Sequence, residues 1–171
     1  MRVYRKITSK IFYKFRINKL KNSTNNVIQQ IAKSIENIVK NDFSDEEKEF
    51  FEKIEQRRNE LLTSDKSIEV VDYGAGSPSS KLTKEQMNAG VVYSSKVSNV
   101  TLGSKPKFWA KFLYCLVKQI KPNVCVELGT CVGVSASYQA KALLSNNNAK
   151  LITLEGAQKI ADVANDTLKL L

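Results

Sequence analysis

Residues 124–155 restrict the fold of this chain more than any other segment. They begin with a short apolar run typical of a buried strand, continue through a loop with Gly129 and Gly133, and then show helical spacing. A second apolar run at 151–154 is followed directly by an acid, Glu155. A strand, a glycine loop, a helix and an acid-terminated strand predict the nucleotide-binding half of a doubly wound α/β sheet.

In such a sheet the ligand lies beyond the carboxyl ends of the strands, which places it at the loop after Leu128. Glycines at both ends of this loop let the chain turn sharply and let its backbone approach a ligand closely. The following helix offers unpaired N–H groups at its start. A carboxylate at Glu155 can accept hydrogen bonds from both hydroxyls of a ribose.

The residues around the glycines distinguish between nucleotide cofactors. A dinucleotide fingerprint that starts at Gly129 needs glycines at the positions of Cys131 and Val134. Glu127, just before the loop, would repel a pyrophosphate but can hold the cationic amino-acid portion of S-adenosylmethionine through bridging groups or water. Both features favour adenosylmethionine and leave an NAD-dependent dehydrogenase as the enzymatic alternative.

The run VCVELGTCVGV at 124–134 resembles motif I of the class I S-adenosylmethionine-dependent methyltransferases, and LITLEG at 151–156 resembles their second motif. The runs VVDYGAGS at 70–77, KPNVCVELGT and LITLEGAQKIADVAN extend the resemblance to a bacterial family of small-molecule-type methyltransferases. The resemblance covers residues 43–171.

The resemblance implies a methyl transfer from the cofactor to an unknown acceptor, which we expect to be a small molecule. Glu127, Gly129 and Gly133 would line the methionine and ribose side of the cofactor, and Glu155 would bind the ribose hydroxyls. The chain departs from the family at Cys131, where a middle glycine is common. No catalytic residue is implied, because substrate contacts usually come from loops after later strands. The implied cofactor-binding residues are Glu127, Gly129, Thr130, Cys131, Gly133 and Glu155.

Methyltransferases of this class have more core strands than the two that the motifs identify before Leu171. We therefore expect an incomplete, Rossmann-like doubly wound fold preceded by N-terminal helices. The expected segments are a basic amphipathic one at 1–42, a helical and loop extension at 43–104, and a partial cofactor-binding domain at 105–171. The first strand is central in the family's order, so an unpaired sheet edge predicts poor stability or self-association.

Two helices are predicted between residues 27 and 62. An apolar stripe that begins at Val27 ends near Asn41. Ser44 and Glu47 match a capping box, in which the hydroxyl accepts from a backbone N–H and the carboxylate reaches back. That box predicts a helix to about Leu62.

The segment between these helices and the motif combines a short strand, a polar stretch and a further helix in its predicted structure. Residues 68–71 predict a short strand, and the polar stretch 79–104 predicts a loop with one helical turn at most. An apolar stripe that includes Trp109 and Phe112 predicts a helix whose aromatic rings lie in the core. The run DYGAGS at 72–77 resembles a second motif I, but no apolar helix follows it, so we interpret it as a decoy or as a lid over the site.

The formal charge of +10 is concentrated at the N-terminus, since residues 1–21 hold eight basic side chains and no acidic one. We expect a helix packed on the domain with a solvated basic face; the alternative is a non-enzymatic module that attaches to acidic lipid. The rest of the chain is only weakly basic, so specific nucleic-acid binding is not expected. One face of this segment would carry Tyr4, Ile7, Ile11 and Phe15.

Composition excludes several classes of site. The chain has no histidine and only three cysteines, Cys115, Cys125 and Cys131, without metal-ligand spacing. A zinc site and a Ser-His or Cys-His catalytic arrangement are therefore excluded. Unpaired cysteines and the absence of a long apolar run predict a soluble, cytoplasmic protein.

Overall fold

The structure, a computed structural model, describes residues 16–74 and 82–170. The predicted amphipathic face at 4–15 and the second half of the DYGAGS run, residues 75–77, lie outside these residues. None of the described helices is long and apolar enough to cross a membrane. After a helical turn at 16–21, the elements are α1 (Asn26–Lys40), α2 (Asp45–Leu62), β1 (Ser67–Asp72), α3 (Lys84–Ala89), β2 (Val91–Lys96), α4 (Val97–Thr101), α5 (Lys107–Ile120), β3 (Val124–Leu128), α6 (Val134–Leu143), β4 (Lys150–Leu154) and α7 (Gln158–Leu168).

The described strands form two separate two-stranded sheets. Strands β1 and β2 are antiparallel, whereas β3 and β4 are parallel and are connected through α6. In the parallel pair Val124 lies opposite Lys150 and Leu128 lies opposite Leu154. The prediction of an α/β structure preceded by N-terminal helices is confirmed. Within residues 16–74 and 82–170 the structure shows one β-α-β unit and no doubly wound sheet.

Both predicted helix starts are confirmed by their caps. The Asn25 side chain accepts from the Val27 amide at 2.9 Å, and α1 ends at Asn41 in the left-handed conformation. At α2 the Ser44 hydroxyl accepts from the Glu47 amide at 3.2 Å, and the Glu47 carboxylate accepts from the Ser44 amide at 2.7 Å. These local bonds fix where the helices begin, which is why the sequence predicts them well.

The prediction of a loop over 79–104 is wrong, because α3, β2 and α4 lie within it. Strand β2 is largely exposed, so it has no alternation of apolar and polar residues and is stabilised by pairing with β1. Helix α3 did have a sequence signal: Thr83 and Gln86 form a second capping box. The 43–104 extension therefore contains an antiparallel strand pair in addition to helices and loops.

A single apolar core connects this extension to the β-α-β unit. At its centre the Phe51 ring from α2 is stacked on Tyr138 of α6 at 5.1 Å and meets Tyr114 of α5 edge-on at 4.9 Å. Aromatic pairs in these geometries add about 0.5–1.5 kcal/mol beyond their buried area. Helices α2 and α5 thus support α6, the helix that follows the glycine loop. The division of the chain into three segments stays a prediction.

The prediction that Trp109 lies in the core is wrong. Its side chain is 53% exposed and that of Phe108 is 47% exposed, whereas Tyr114 and Val117 are buried. Helix α5 has apolar residues on more than one face, and only the face toward its neighbouring helices is covered. The uncovered rings pack on one another instead, with Trp109 edge-on to both Phe108 and Phe112.

A carboxylate with little exposure links α2 to α5. Glu47 accepts a hydrogen bond from Lys118 at 2.5 Å and another from the Tyr114 hydroxyl. Burial alone would raise the pKa of Glu47, but the bonds from Lys118, Tyr114 and the Ser44 amide outweigh it and lower the pKa to about 2. Because this pKa is depressed in the folded state, the stabilisation is present at neutral pH and is lost as the pH falls towards 2.

We expect Glu47→Gln to lower the free energy of unfolding by about 1–3 kcal/mol at pH 7, since the Lys118 ammonium loses the negative charge of its partner. The difference from the wild type should shrink as the pH falls from about 4.5 towards 2, measured by urea unfolding. Glu46→Gln is the matched control: this side chain is 79% exposed and pairs with Lys141 at the surface. If Glu47→Gln lowered the free energy of unfolding equally at pH 7 and pH 3, the stabilising role of the ionised Glu47 carboxylate would be contradicted.

Candidate cofactor-binding site

The glycine loop joins β3 to α6 and lies against the end of β4. The amides of Gly129 and Thr130 both donate to the Leu154 carbonyl, at 2.9 and 3.1 Å. The Gly133 amide donates back to the Thr130 carbonyl at 3.0 Å, which closes the loop. The parallel pairing of β3 and β4 therefore brings the loop next to Glu155, the residue after β4.

Glu155 holds two main-chain segments together. One carboxylate oxygen accepts from the Cys131 amide at 2.9 Å, and the other accepts from the Ala157 amide at 3.1 Å, just before α7. Each oxygen keeps a further lone pair. The structure thus brings Glu155 to the glycine loop, as the sequence predicted, with both oxygens bound to the main chain.

The two predicted glycines have different surroundings. Both are left-handed, with φ of +87° at Gly129 and +83° at Gly133. A Cβ added to Gly129 would meet nothing within 4 Å, whereas one added to Gly133 would lie 2.9 Å from the Ala164 carbonyl oxygen in α7. Gly129 therefore offers open backbone for a ligand, and Gly133 allows α7 to pack against the loop.

Cys131 is also left-handed, with φ of 51°. This conformation costs a residue with a side chain about 1–2 kcal/mol, which explains why a glycine suits this position. The thiol donates to the Val100 carbonyl at 3.4 Å, and the amide donates to Glu155. These contacts hold Cys131 in the strained conformation.

The Glu127 carboxylate is fixed by three uncharged donors. One oxygen accepts from the Ser135 hydroxyl at 2.6 Å and from the Gln139 amide at 2.8 Å, and the other accepts from the Thr153 hydroxyl at 2.8 Å. The buried Thr130 hydroxyl lies 2.6 Å from that of Thr153. Thr130 therefore supports Glu127 through Thr153, and its own side chain is buried.

A cleft of about 610 Å³ lies between β3, the start of α6 and the segment before α5. Three of the six predicted residues line it, namely Glu127, Gly129 and Cys131, whereas Thr130, Gly133 and Glu155 are not part of its lining. The sequence did not identify the opposite wall, because it falls at the end of the stretch interpreted as a loop. The full lining is Gly103, Ser104, Lys105, Leu113, Val126, Glu127, Leu128, Gly129, Cys131, Ser135 and Gln139.

A guanidinium from α2 fixes the opposite wall of this cleft. Arg58 donates to the Ser104 hydroxyl at 3.1 Å and to the Lys105 carbonyl at 2.6 Å. The same guanidinium donates to Glu55 at 3.1 Å, and the Tyr138 hydroxyl donates to Glu55 at 3.0 Å. The wall is therefore tied to both α2 and α6 and is not an independent loop.

The end of β1 lies near the same corner. The Gly74 amide donates to the Asp72 carboxylate at 2.7 Å, which makes a tight turn. The Tyr73 ring lies 3.3 Å from the position of a Cβ added to Gly156, next to Glu155. The interpretation of this run as a decoy or a lid stays a prediction, since residues 75–81 lie outside the described ranges.

The thiols near the site are not activated. Burial raises the pKa of Cys131, with a further contribution from Glu155 and Glu127, and burial raises the pKa of Cys115 to about 12. Thiols of this kind are protonated at neutral pH and are weak nucleophiles. In the part of the chain that the structure describes, no group of three or more potential metal ligands is placed to hold an ion.

Comparison with known proteins gave no matching family model, no matching curated protein and no matching solved structure. The fold and the geometry of the cleft are therefore the basis for assigning a function.

Proposed function

We propose that this chain binds S-adenosylmethionine in the cleft beside β3 and acts as the cofactor-binding part of a Rossmann-like class I methyltransferase. The observation that supports this most is Glu127, a carboxylate that lines the cleft next to the open backbone of Gly129. Its three contacts are uncharged, so its negative charge can attract a cationic ligand. A pyrophosphate would be repelled there.

The proposed binding mode uses the residues in different ways. The cleft of about 610 Å³ is large enough for a nucleoside-sized ligand. Glu127 would attract the α-ammonium of the methionine portion, Gly129 would let the ligand approach the backbone, and Glu155 would accept from the ribose hydroxyls through its remaining lone pairs. Cys131 would border the ligand, while Thr130 and Gly133 would hold the loop in shape.

The cofactor supplies an activated methyl group that is transferred to an acceptor nucleophile in line with the sulfur–carbon bond. The chain's own contribution is to bind and orient it, and positioning accounts for much of the rate in such reactions. The acceptor, which we expect to be a small molecule, would enter near the exposed end of β3. No residue of this chain is assigned as catalytic.

Two partner predictions from the sequence remain predictions. Attachment to acidic lipid depends on residues 1–21, most of which lie outside the described ranges. Self-association depends on the unpaired edge of the β3–β4 sheet, beside which Val126 is 58% exposed and Leu128 is 80% exposed. Exposed apolar residues on an unpaired strand are typical of a surface that another chain can cover.

Calorimetric titration with S-adenosylhomocysteine and with NAD⁺ tests the proposal. We expect micromolar binding of S-adenosylhomocysteine and no measurable binding of NAD⁺. The circular dichroism spectrum must first show that the sample is folded. Binding of NAD⁺ alone would favour the dehydrogenase alternative, and binding of neither ligand by folded protein would contradict a nucleotide cofactor altogether.

A further inference from the structure

The cleft is lined by residues of opposite charge. Glu127 and Gly129 come from β3 and the loop after it, and Lys105 comes from the segment before α5. Among the described residues, no carboxylate lies within ion-pair distance of the Lys105 ammonium. A lysine and a glutamate therefore line the same cleft, and within the described residues neither forms an ion pair.

The backbone at Lys105 is held in place by hydrogen bonds from Arg58 of α2. Its carbonyl accepts the 2.6 Å bond from Arg58, and the Ser104 hydroxyl beside it accepts from the same guanidinium at 3.1 Å. Ser104 in turn donates to the Thr101 carbonyl at 2.7 Å. Because the backbone is already ordered, binding a ligand would restrict only the lysine side chain, which lowers the entropic cost of the contact.

We propose that Lys105 is a specificity residue that binds the α-carboxylate of the ligand's methionine portion while Glu127 holds its α-ammonium. This inference rests on the proposed function, because it concerns the same cleft. An amino acid at neutral pH is a zwitterion, and two oppositely charged side chains in one cleft are complementary to it. Charge-assisted hydrogen bonds of this type are roughly twice as strong as neutral ones. The site thereby distinguishes adenosyl compounds that carry the amino acid from those that lack it.

Two ligands separate this inference from the proposed function. S-adenosylhomocysteine carries the zwitterion, whereas 5′-methylthioadenosine has the same nucleoside and thioether without it. We expect Lys105→Met to weaken binding of S-adenosylhomocysteine about tenfold and to leave binding of 5′-methylthioadenosine unchanged, measured by calorimetry at low salt. Methionine keeps an unbranched apolar side chain and removes the ammonium, with its charge and its N–H donors.

Two further variants serve as controls. Lys107→Met removes an exposed charge two residues away that does not line the cleft, so it should leave binding of both ligands unchanged. Lys105→Arg keeps the charge and should bind S-adenosylhomocysteine within a few-fold of the wild type. Rescue by arginine would not be expected if position 105 had only a structural role.

The possible outcomes can be told apart. If Lys105→Met weakens the binding of both ligands equally, or of neither, the assignment of Lys105 is wrong and the proposal of a cofactor cleft is unaffected. If the folded wild type binds neither ligand, the proposed function is wrong and the assignment of Lys105 is overturned with it. If Lys105→Met weakens the binding of S-adenosylhomocysteine alone, and Lys105→Arg retains it, both the proposed function and the assignment of Lys105 are supported.

Discussion

Gly133→Ala is expected to lower the free energy of unfolding by about 2–5 kcal/mol, the sum of a left-handed conformation and an overpacked contact. The new Cβ would lie 2.9 Å from the Ala164 carbonyl oxygen and 3.1 Å from the Ala164 Cα. Both atoms belong to the backbone of α7, so relief requires the whole helix to shift. Urea unfolding followed by circular dichroism measures the loss.

Gly129→Ala is the matched control for this prediction. Its φ of +87° is nearly the same as that of Gly133, but an added Cβ would meet nothing within 4 Å. We expect a loss of only about 1–2 kcal/mol, which is the cost of the left-handed conformation alone. Equal losses for the two variants would show that the close approach of α7 to the loop does not stabilise the fold.

Glu155→Ala is expected to weaken binding of S-adenosylhomocysteine at least tenfold, which corresponds to about 1.4 kcal/mol. The substitution removes the carboxylate that we propose as the acceptor for the ribose hydroxyls. It also leaves the Cys131 amide without its 2.9 Å bond in a residue that is already strained. The loop that carries the ligand should therefore lose order as well as a direct contact.

Two controls separate these effects. Glu155→Gln keeps one acceptor oxygen and the shape of the side chain, so it should lose less affinity than the alanine variant. Asp162→Ala removes an exposed carboxylate from α7 that pairs, among the described residues, with its helical neighbours Gln158 and Lys159, and should leave binding unchanged. Wild-type affinity in Glu155→Ala would rule out Glu155 as the ribose-binding residue.

The sequence predicted the parts of the fold that depend on local interactions. The capping box at Ser44 and Glu47 uses residues within one helical turn, so it can be identified without knowledge of the tertiary structure. The β3-α6-β4 order was predicted for a similar reason, because short apolar runs separated by glycines and a helical pattern are local signals. The polar strand β2 was missed because its pairing with β1 is not a local property.

The candidate site depends more on contacts between distant residues. The cleft wall at Lys105 is set by Arg58, which lies in a different helix. The exposure of Trp109 depends on which helices pack against α5, and the sequence of α5 alone does not determine that. The bond from the Cys131 amide to Glu155 requires both a left-handed backbone and the parallel pairing of β3 with β4.

The most direct test of the proposed cofactor site is a two-dimensional ¹H–¹⁵N NMR titration with S-adenosylhomocysteine. We expect the amide signals of Gly129, Cys131 and Ser135 to shift in proportion to occupancy. A second cleft of about 360 Å³, lined by residues that include Lys33 and Asn37 of α1, is an internal control whose amides should not move. Shifts confined to that α1 cleft, or no shifts at saturating ligand, would contradict a cofactor site beside β3.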